Sequence, residues 1–196
     1  MTAGATEGER PLLDAARDAI LAVGWKRTTL TDVARRAGVS RMTIYRRWPD
    51  METLLADLMT REWSAIVEGD AASGSGDQDT RDQVVERIVA SVTALRHNDL
   101  FRRIIDVDPE LLLPYLLDRR GRTQDTILEL TEAALTAGQA TGDIRPGEPR
   151  LMSRTLLLAA HGFTLSAHTM SDVAGAAVDP GLDAELRVLV ERYLRP

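Results

Sequence analysis

The chain has 196 residues, 44% hydrophobic and 28% charged, ordinary proportions for a globular protein with a real core. Twenty-four basic against 30 acidic residues leave a formal net charge of −6, which argues against a general nucleic-acid coat or a polybasic membrane binder. The absence of cysteine removes disulfides, thiol catalysis and Cys-based metal sites.

The opening stretch, Met1 to Glu9, has neither a basic n-region nor an apolar h-region, so no secretion signal is expected. No apolar run is long and pure enough to span a bilayer, which leaves a cytoplasmic chain with no membrane partner as the expectation. Helical periodicity then dominates. Leu13, Ala16, Ile20 and Val23 predict a first helix that stops at Gly24. A second segment is expected over Thr29–Ala37 and a third over Ser40–Trp48, with a fourth opening at Asp50 as N-cap and turning Leu54, Leu55, Leu58 and Met59 inward. The polar, glycine-bearing stretch from Glu68 to Asp82 reads as a loop. Val85, Ile88, Val89 and Val92 predict a fifth helix, and Leu100, Phe101, Ile104 and Ile105 a short sixth. Asp108-Pro109-Glu110 reads as a fresh helix start. Ile127, Leu130, Ala134 and Leu135 mark a helix ending at Gly138, and two more follow over about Pro149–Met170 and Leu182–Leu194. The fold class is all-α, with about nine helices and almost no strand alternation.

The net charge conceals an asymmetry. Between Lys26 and Arg47 lie seven basic residues and a single acid, Asp32, so this window carries +6 while the remainder carries −12. A cationic patch on an anionic body suggests a local polyanion-binding surface. The residues around those charges have the plan of a helix-turn-helix. Thr29 and Asp32 are spaced as a capping box. Small Ala34 suits a close helix crossing, Gly38 allows a left-handed turn, Ser40 is a natural N-cap, and Ile44 anchors the next helix inward. With Ile44 inward, Arg41, Met42, Thr43, Tyr45, Arg46 and Arg47 are left for the outward faces. Arginine can bond guanine bidentately, Met42 can touch a thymine methyl, and Thr and Tyr hydroxyls suit phosphates. Trp48 reads as a core aromatic at the helix end before Pro49.

This segment resembles the TetR/AcrR transcriptional regulators. The resemblance rests on Thr28-Thr29 through Leu55, above all Val33-Ala34-Arg-Arg-Ala-Gly-Val-Ser40, Ile44-Tyr45-Arg-Arg-Trp48 and Leu54-Leu55. It implies a DNA-binding domain over residues 1–50 and an effector-binding and dimerisation domain over 51–196. It further implies a homodimer whose third helices enter successive major grooves of a palindromic double-stranded operator. Mapped onto this chain, base contacts fall to Arg41, Met42, Thr43, Tyr45 and Arg47, and phosphate contacts to Thr28, Thr29, Thr43, Tyr45 and Arg46. One position departs from the family pattern: Met51, beside Asp50, stands where a phosphate-binding lysine is usual.

From Thr155 to Ser171 there is no Asp, Glu, Lys or Arg, and a helix apolar all round needs cover on more than one side. With the stripe of the last helix this predicts a four-helix dimer interface involving Leu156, Phe163, Leu182, Leu186, Leu189, Val190 and Tyr193. By analogy with the family, a small, hydrophobic effector would meet Trp63, Leu95, Phe101, Leu112, Tyr115, Ile127 and Phe163. His161 and His168 share a face but have no third ligand, so no metal and no cofactor are expected. The absence of a catalytic set or phosphate loop argues against an enzyme. The reading is a ligand-responsive regulator, most simply a repressor; the alternative is a helical ligand-binding or adaptor protein that has lost operator binding.

Overall fold

In the computed structural model, which describes residues 8–69, 80–170, 172, 178, 179 and 181–196, the helical periodicity is realised as nine α-helices and no strand among those residues. They are α1 (Arg10–Val23), α2 (Leu30–Arg36), α3 (Arg41–Arg47), α4 (Met51–Gly69), α5 (Thr80–His97), α6 (Asp99–Val107), α7 (Arg122–Thr141), α8 (Pro149–Leu165) and α9 (Gly181–Leu194). Most of the Glu68–Asp82 stretch expected to be a loop lies outside the described residues. Among those residues no helix is long and apolar enough to cross a membrane.

By packing, the chain divides into two compact units, Met1–Ala65 with His97–Arg122, and Ile66–Arg96 with Thr123–Pro196. In the first unit, α1 packs on α2 and α6, and α2 packs on α3. Two seven-residue helices cannot enclose a core between them. The apolar faces that close it come from α1 (Leu13, Ala16, Ile20), from α4 (Leu54, Leu58) and from α6 (Leu100, Phe101, Ile104), all buried. Packing therefore joins most of α4 and all of α6 to the segment expected to bind DNA.

After α6 the chain does not build the fresh helix that Asp108-Pro109-Glu110 suggests. It makes a 3-10 turn over Pro109–Leu111 and a π turn over Pro114–Asp118. The Asp108 side chain does not cap its own turn. Its Oδ2 instead accepts the backbone N–H of Trp25 at 2.8 Å. Six residues on from Asp108, Pro114 has no N–H to donate to a continuing helix.

The second unit is built on Val85, Val89 and Val92 of α5, Leu135 of α7, Met152 and Leu156 of α8, and Leu186, Val190 and Leu194 of α9, with Ile144 from the α7–α8 connection. Helix α7 runs to Thr141, three residues beyond its expected stop at Gly138. Gly138 is there for space: a Cβ on it would lie 2.5 Å from Ile144 Cδ1 and 2.7 Å from Cγ1. The stop is Gly142, whose φ of +84° only glycine adopts readily. Helix α8 ends at Leu165, short of Met170, and a 3-10 turn covers Ala167–Met170. Arg145 ties off the end of α9, donating N–H to Leu194 O at 2.9 Å and Nε–H to Tyr193 O at 2.7 Å.

Candidate nucleic-acid interface

The α2–turn–α3 segment is fixed by its own side chains before any long-range contact is considered. Thr29 caps α2, its Oγ1 accepting Asp32 N–H at 3.2 Å and donating to Asp32 Oδ2 at 2.6 Å. The Thr29 hydroxyl, and then the Arg35 guanidinium at 3.3 Å, hold the Asp32 carboxyl below its ordinary pKa. Asp32 is therefore ionised and offsets one of the seven cations. Gly38 makes the turn with φ at +68°, and a Cβ there would meet nothing within 4 Å, so the glycine serves backbone conformation alone. Val39 N–H then reaches back to Ala34 O at 3.0 Å. Ser40 caps α3, accepting Thr43 N–H at 3.1 Å, and its hydroxyl lies 2.9 Å from that of Thr43.

Ile44 is fully buried and sets the rotation of α3. At about 100° per residue, Met42 and Arg46 fall nearly opposite Ile44, while Arg47 returns toward it. The side chains follow that geometry. Met42 is 80% exposed and Tyr45 51%. Arg41 and Arg46 are exposed, and neither has an ion-pair partner among the described residues. Arg47, by contrast, bonds the Glu9 carboxylate, lies 3.9 Å from Asp57 and covers the Trp48 ring at 5.6 Å. Its side chain is still 51% exposed, so it stands on the surface with these partners already engaged. Trp48 is fully buried, as expected of a core aromatic, and its Nε1 donates to Asp57 Oδ2 at 2.8 Å.

Thr28, expected to contact a phosphate, is corrected. It is buried, and its hydroxyl donates to Gly24 O at 2.8 Å, tying off the α1–α2 connection where a phosphate would need it exposed. Thr29 and Thr43 keep surface positions with hydroxyls already engaged in capping. Met51 is half-buried in the first turn of α4. Beside it the Asp50 carboxylate caps that helix, accepting Thr53 N–H at 2.7 Å and the Thr53 hydroxyl at 2.8 Å. These two bonds hold the Asp50 carboxyl below its usual pKa, so an anion sits beside the position where the family carries a cation. One cation outside the motif mapping is open as well: Arg36, exposed at the end of α2 and without an ion-pair partner among the described residues. It belongs to the basic window, and its helical position two residues past inward Ala34 is the signal that could have found it.

The residues expected to meet an effector fall in both units. In the first, Trp63 and Phe101 meet edge-on, with centroids 6.1 Å apart, and Leu112 is buried. The Trp63 Nε1 is itself buried, with no hydrogen-bond partner among the described residues. Tyr115 lies in the π turn, its ring 5.5 Å from the Arg119 guanidinium. In the second, Leu95, Ile127 and Phe163 are half-buried, Phe163 against the core.

The residues expected at a dimer interface also divide. Leu156, Leu186 and Val190 are buried in the chain's own core and have no surface left for a second copy, so they are corrected as interface residues. Phe163, Leu182 and Tyr193 are half-buried. Leu189 is open, and so are Val188 on the same helix and Leu151 and Leu158 on α8, the last 72% exposed. The apolar stripe of α9 is thus split between an inward flank at Leu186, Val190 and Leu194 and an open one at Leu189.

The geometry agrees with what similarity to known proteins indicates. Residues 12–58 match the family model described as bacterial regulatory proteins, tetR family. An uncharacterised HTH-type transcriptional regulator of Mycobacterium bovis is 34% identical over 183 residues, 93% of this chain and 92% of that protein. Among solved structures, the regulator FadR of Bacillus subtilis in complex with stearoyl-CoA superimposes with a TM-score of 0.67 at 18% identity, covering 95% of this chain and 99% of that one. The TetR family repressor AlkX of a Dietzia strain, implicated in biodegradation of n-alkanes, gives 0.63 at 18% identity over 97% and 96% of the two chains. The helix-turn-helix, the all-helical remainder and the near full-length relative lead to one conclusion: the chain belongs to the TetR family of transcriptional regulators.

Proposed function

We propose that the protein is a ligand-responsive repressor that binds a palindromic operator as a homodimer and leaves it when a small hydrophobic effector occupies the helical region beyond α3. The observation that carries the reading is the exposed face of α3, where Arg41, Met42, Tyr45 and Arg46 project from a helix locked at one end by the Ser40 cap and at the other by buried Trp48. A reading helix must present side chains to base edges while its own geometry stays fixed. Dimerisation through the open apolar residues of α8 and α9 would place two such helices on successive grooves. An effector that changes their separation by a few ångströms would break hydrogen-bond reach to the bases. The hydrophobic character of the effector is supported by the fold neighbours, one holding stearoyl-CoA and one implicated in n-alkane degradation.

A second reading has its own support. Asp50 and Met51 replace a phosphate clamp with an anion and a thioether, as expected of a helical ligand-binding or adaptor protein that has abandoned DNA. Selection from a random duplex pool decides between the two. The repressor reading expects a two-fold symmetric sequence to be enriched, and a long-chain acyl-CoA or alkane to release it in a gel shift. Failure to enrich any sequence, at low salt as well as physiological salt, overturns the operator reading and favours the second.

A further inference from the structure

Met42 is the most exposed large apolar side chain among the described residues, at 80%. It lies on the side of α3 away from Ile44, in the helix's first turn, with Tyr45 and Arg46 three and four residues on and therefore on the same face. Arg41 stands next to it, and neither Arg41 nor Arg46 has an ion-pair partner among the described residues. The charged and hydroxyl-bearing members of this face suit guanine edges and phosphates. A thioether suits neither, and in water it gains nothing from its position.

The major groove offers one apolar group on its floor, the 5-methyl of thymine, which cytosine lacks. An unbranched, polarisable methionine can lay its Sδ and Cε against such a methyl without the exact fit a branched side chain demands. Resting on the operator reading above, we infer that Met42 is a specificity-determining residue that reads a thymine methyl, and that each operator half-site carries a thymine where Met42 enters the groove. The contact is apolar, so it discriminates without adding to the salt dependence that the arginines set.

The test uses the operator enriched from the random pool, resynthesised with deoxyuridine replacing thymine at one symmetry-related pair of positions at a time. Deoxyuridine pairs as thymine does and lacks only the methyl. For the wild-type protein, one such pair should weaken binding by about fourfold per half-site, the value of one methyl-sized group removed from water. The Met42→Ala variant, whose fold should be untouched because the side chain makes no core contact, should bind the thymine and deoxyuridine duplexes equally at that pair. Neutrality of every deoxyuridine duplex for the wild type overturns the inference, as does an undiminished loss in Met42→Ala, which would assign the methyl to another residue. Both results leave operator binding itself intact. Failure to enrich any operator overturns the DNA-binding reading, and this inference with it.

Discussion

The two leucines of α9 separate folding from assembly, because they lie three residues apart on one sequence stripe and in opposite environments. Leu186 is fully buried among Val89, Leu135, Val190 and Leu194, whereas Leu189 is 46% exposed. Truncating a leucine buried this way costs about 2–5 kcal/mol, a large share of a total stability of about 5–15 kcal/mol. Leu186→Ala should therefore lower the denaturation midpoint steeply. Leu189→Asp should change the stability of the isolated subunit by no more than about 0.5 kcal/mol, as at other surface sites. In a two-fold interface the same substitution places two carboxylates against apolar surface. At about 2 kcal/mol or more each for a partly desolvated polar group, dimer affinity should fall by about a thousandfold. Sedimentation velocity over a concentration series, with circular dichroism melts on the same samples, reads both effects. A Leu189→Asp protein that dimerises as tightly as wild type would remove the open flank of α9 from the interface. A Leu186→Ala protein that melts normally would refute the core assignment.

Replacing Asp57 with Ala strands the buried Trp48 indole N–H, which should cost about 1–3 kcal/mol in urea unfolding; a change below about 0.5 kcal/mol would mean water takes the place of the carboxylate. Gly138→Ala should destabilise by about 1–3 kcal/mol through its clash with buried Ile144, despite the higher helix propensity of alanine, and a raised melting temperature would contradict the packing described. Burial holds the His161 imidazole below its ordinary pKa of 6.5, so the unfolded chain takes up the proton first as pH falls. Stability is intact above that value and is lost as pH drops through the lower folded-state pKa, and His161→Gln should flatten the loss below pH 6.5 in denaturation series. Four cations per reading head have no ion-pair partner among the described residues (Arg27, Arg36, Arg41 and Arg46), which makes eight per dimer and a slope of about −7 in log affinity against log salt, and a slope near −12 would mean that the internal ion pairs open on DNA.

The elements legible from the sequence are those whose signals lie within a turn or two of the residue concerned. Thr29 and Ser40 cap helices through bonds to residues three positions on, and Gly38 turns the chain on its own dihedral. Gly138 misled for the converse reason. A glycine near the end of an apolar run looks like a stop, yet here its role is set by Ile144, which the chain brings back from beyond Thr141. Asp108 is a similar case: an aspartate before proline reads as a local cap, while its carboxylate is held by Trp25, 83 residues away in the chain. In both, the local pattern is genuine, and a distant group outcompetes it.

The same distinction governs the candidate site. Counting charge between Lys26 and Arg47 locates the cationic head and overstates it, because a count carries no partners. Lys26 is held by Glu110 at 2.6 Å, Arg35 by Asp32, and Arg47 by Glu9 and Asp57, while Arg27 Nε donates to Val23 O. The Lys26–Glu110 pair is mutual: the hydrogen bond raises the lysine pKa and lowers that of the glutamate, so both stay charged and the pair presents little net field. Arg47 is shared between two largely buried carboxylates, of which Asp57 also pairs with Arg122. What remains without a carboxylate partner among the described residues is Arg27 and Arg36 and, on α3 with Met42 and Tyr45, Arg41 and Arg46, a smaller cationic set than the sequence count implies. On the repressor reading proposed above, fewer phosphate contacts lower non-specific affinity, and the weight of specificity is expected to fall on base edges met by Arg41, Met42 and Tyr45 of α3.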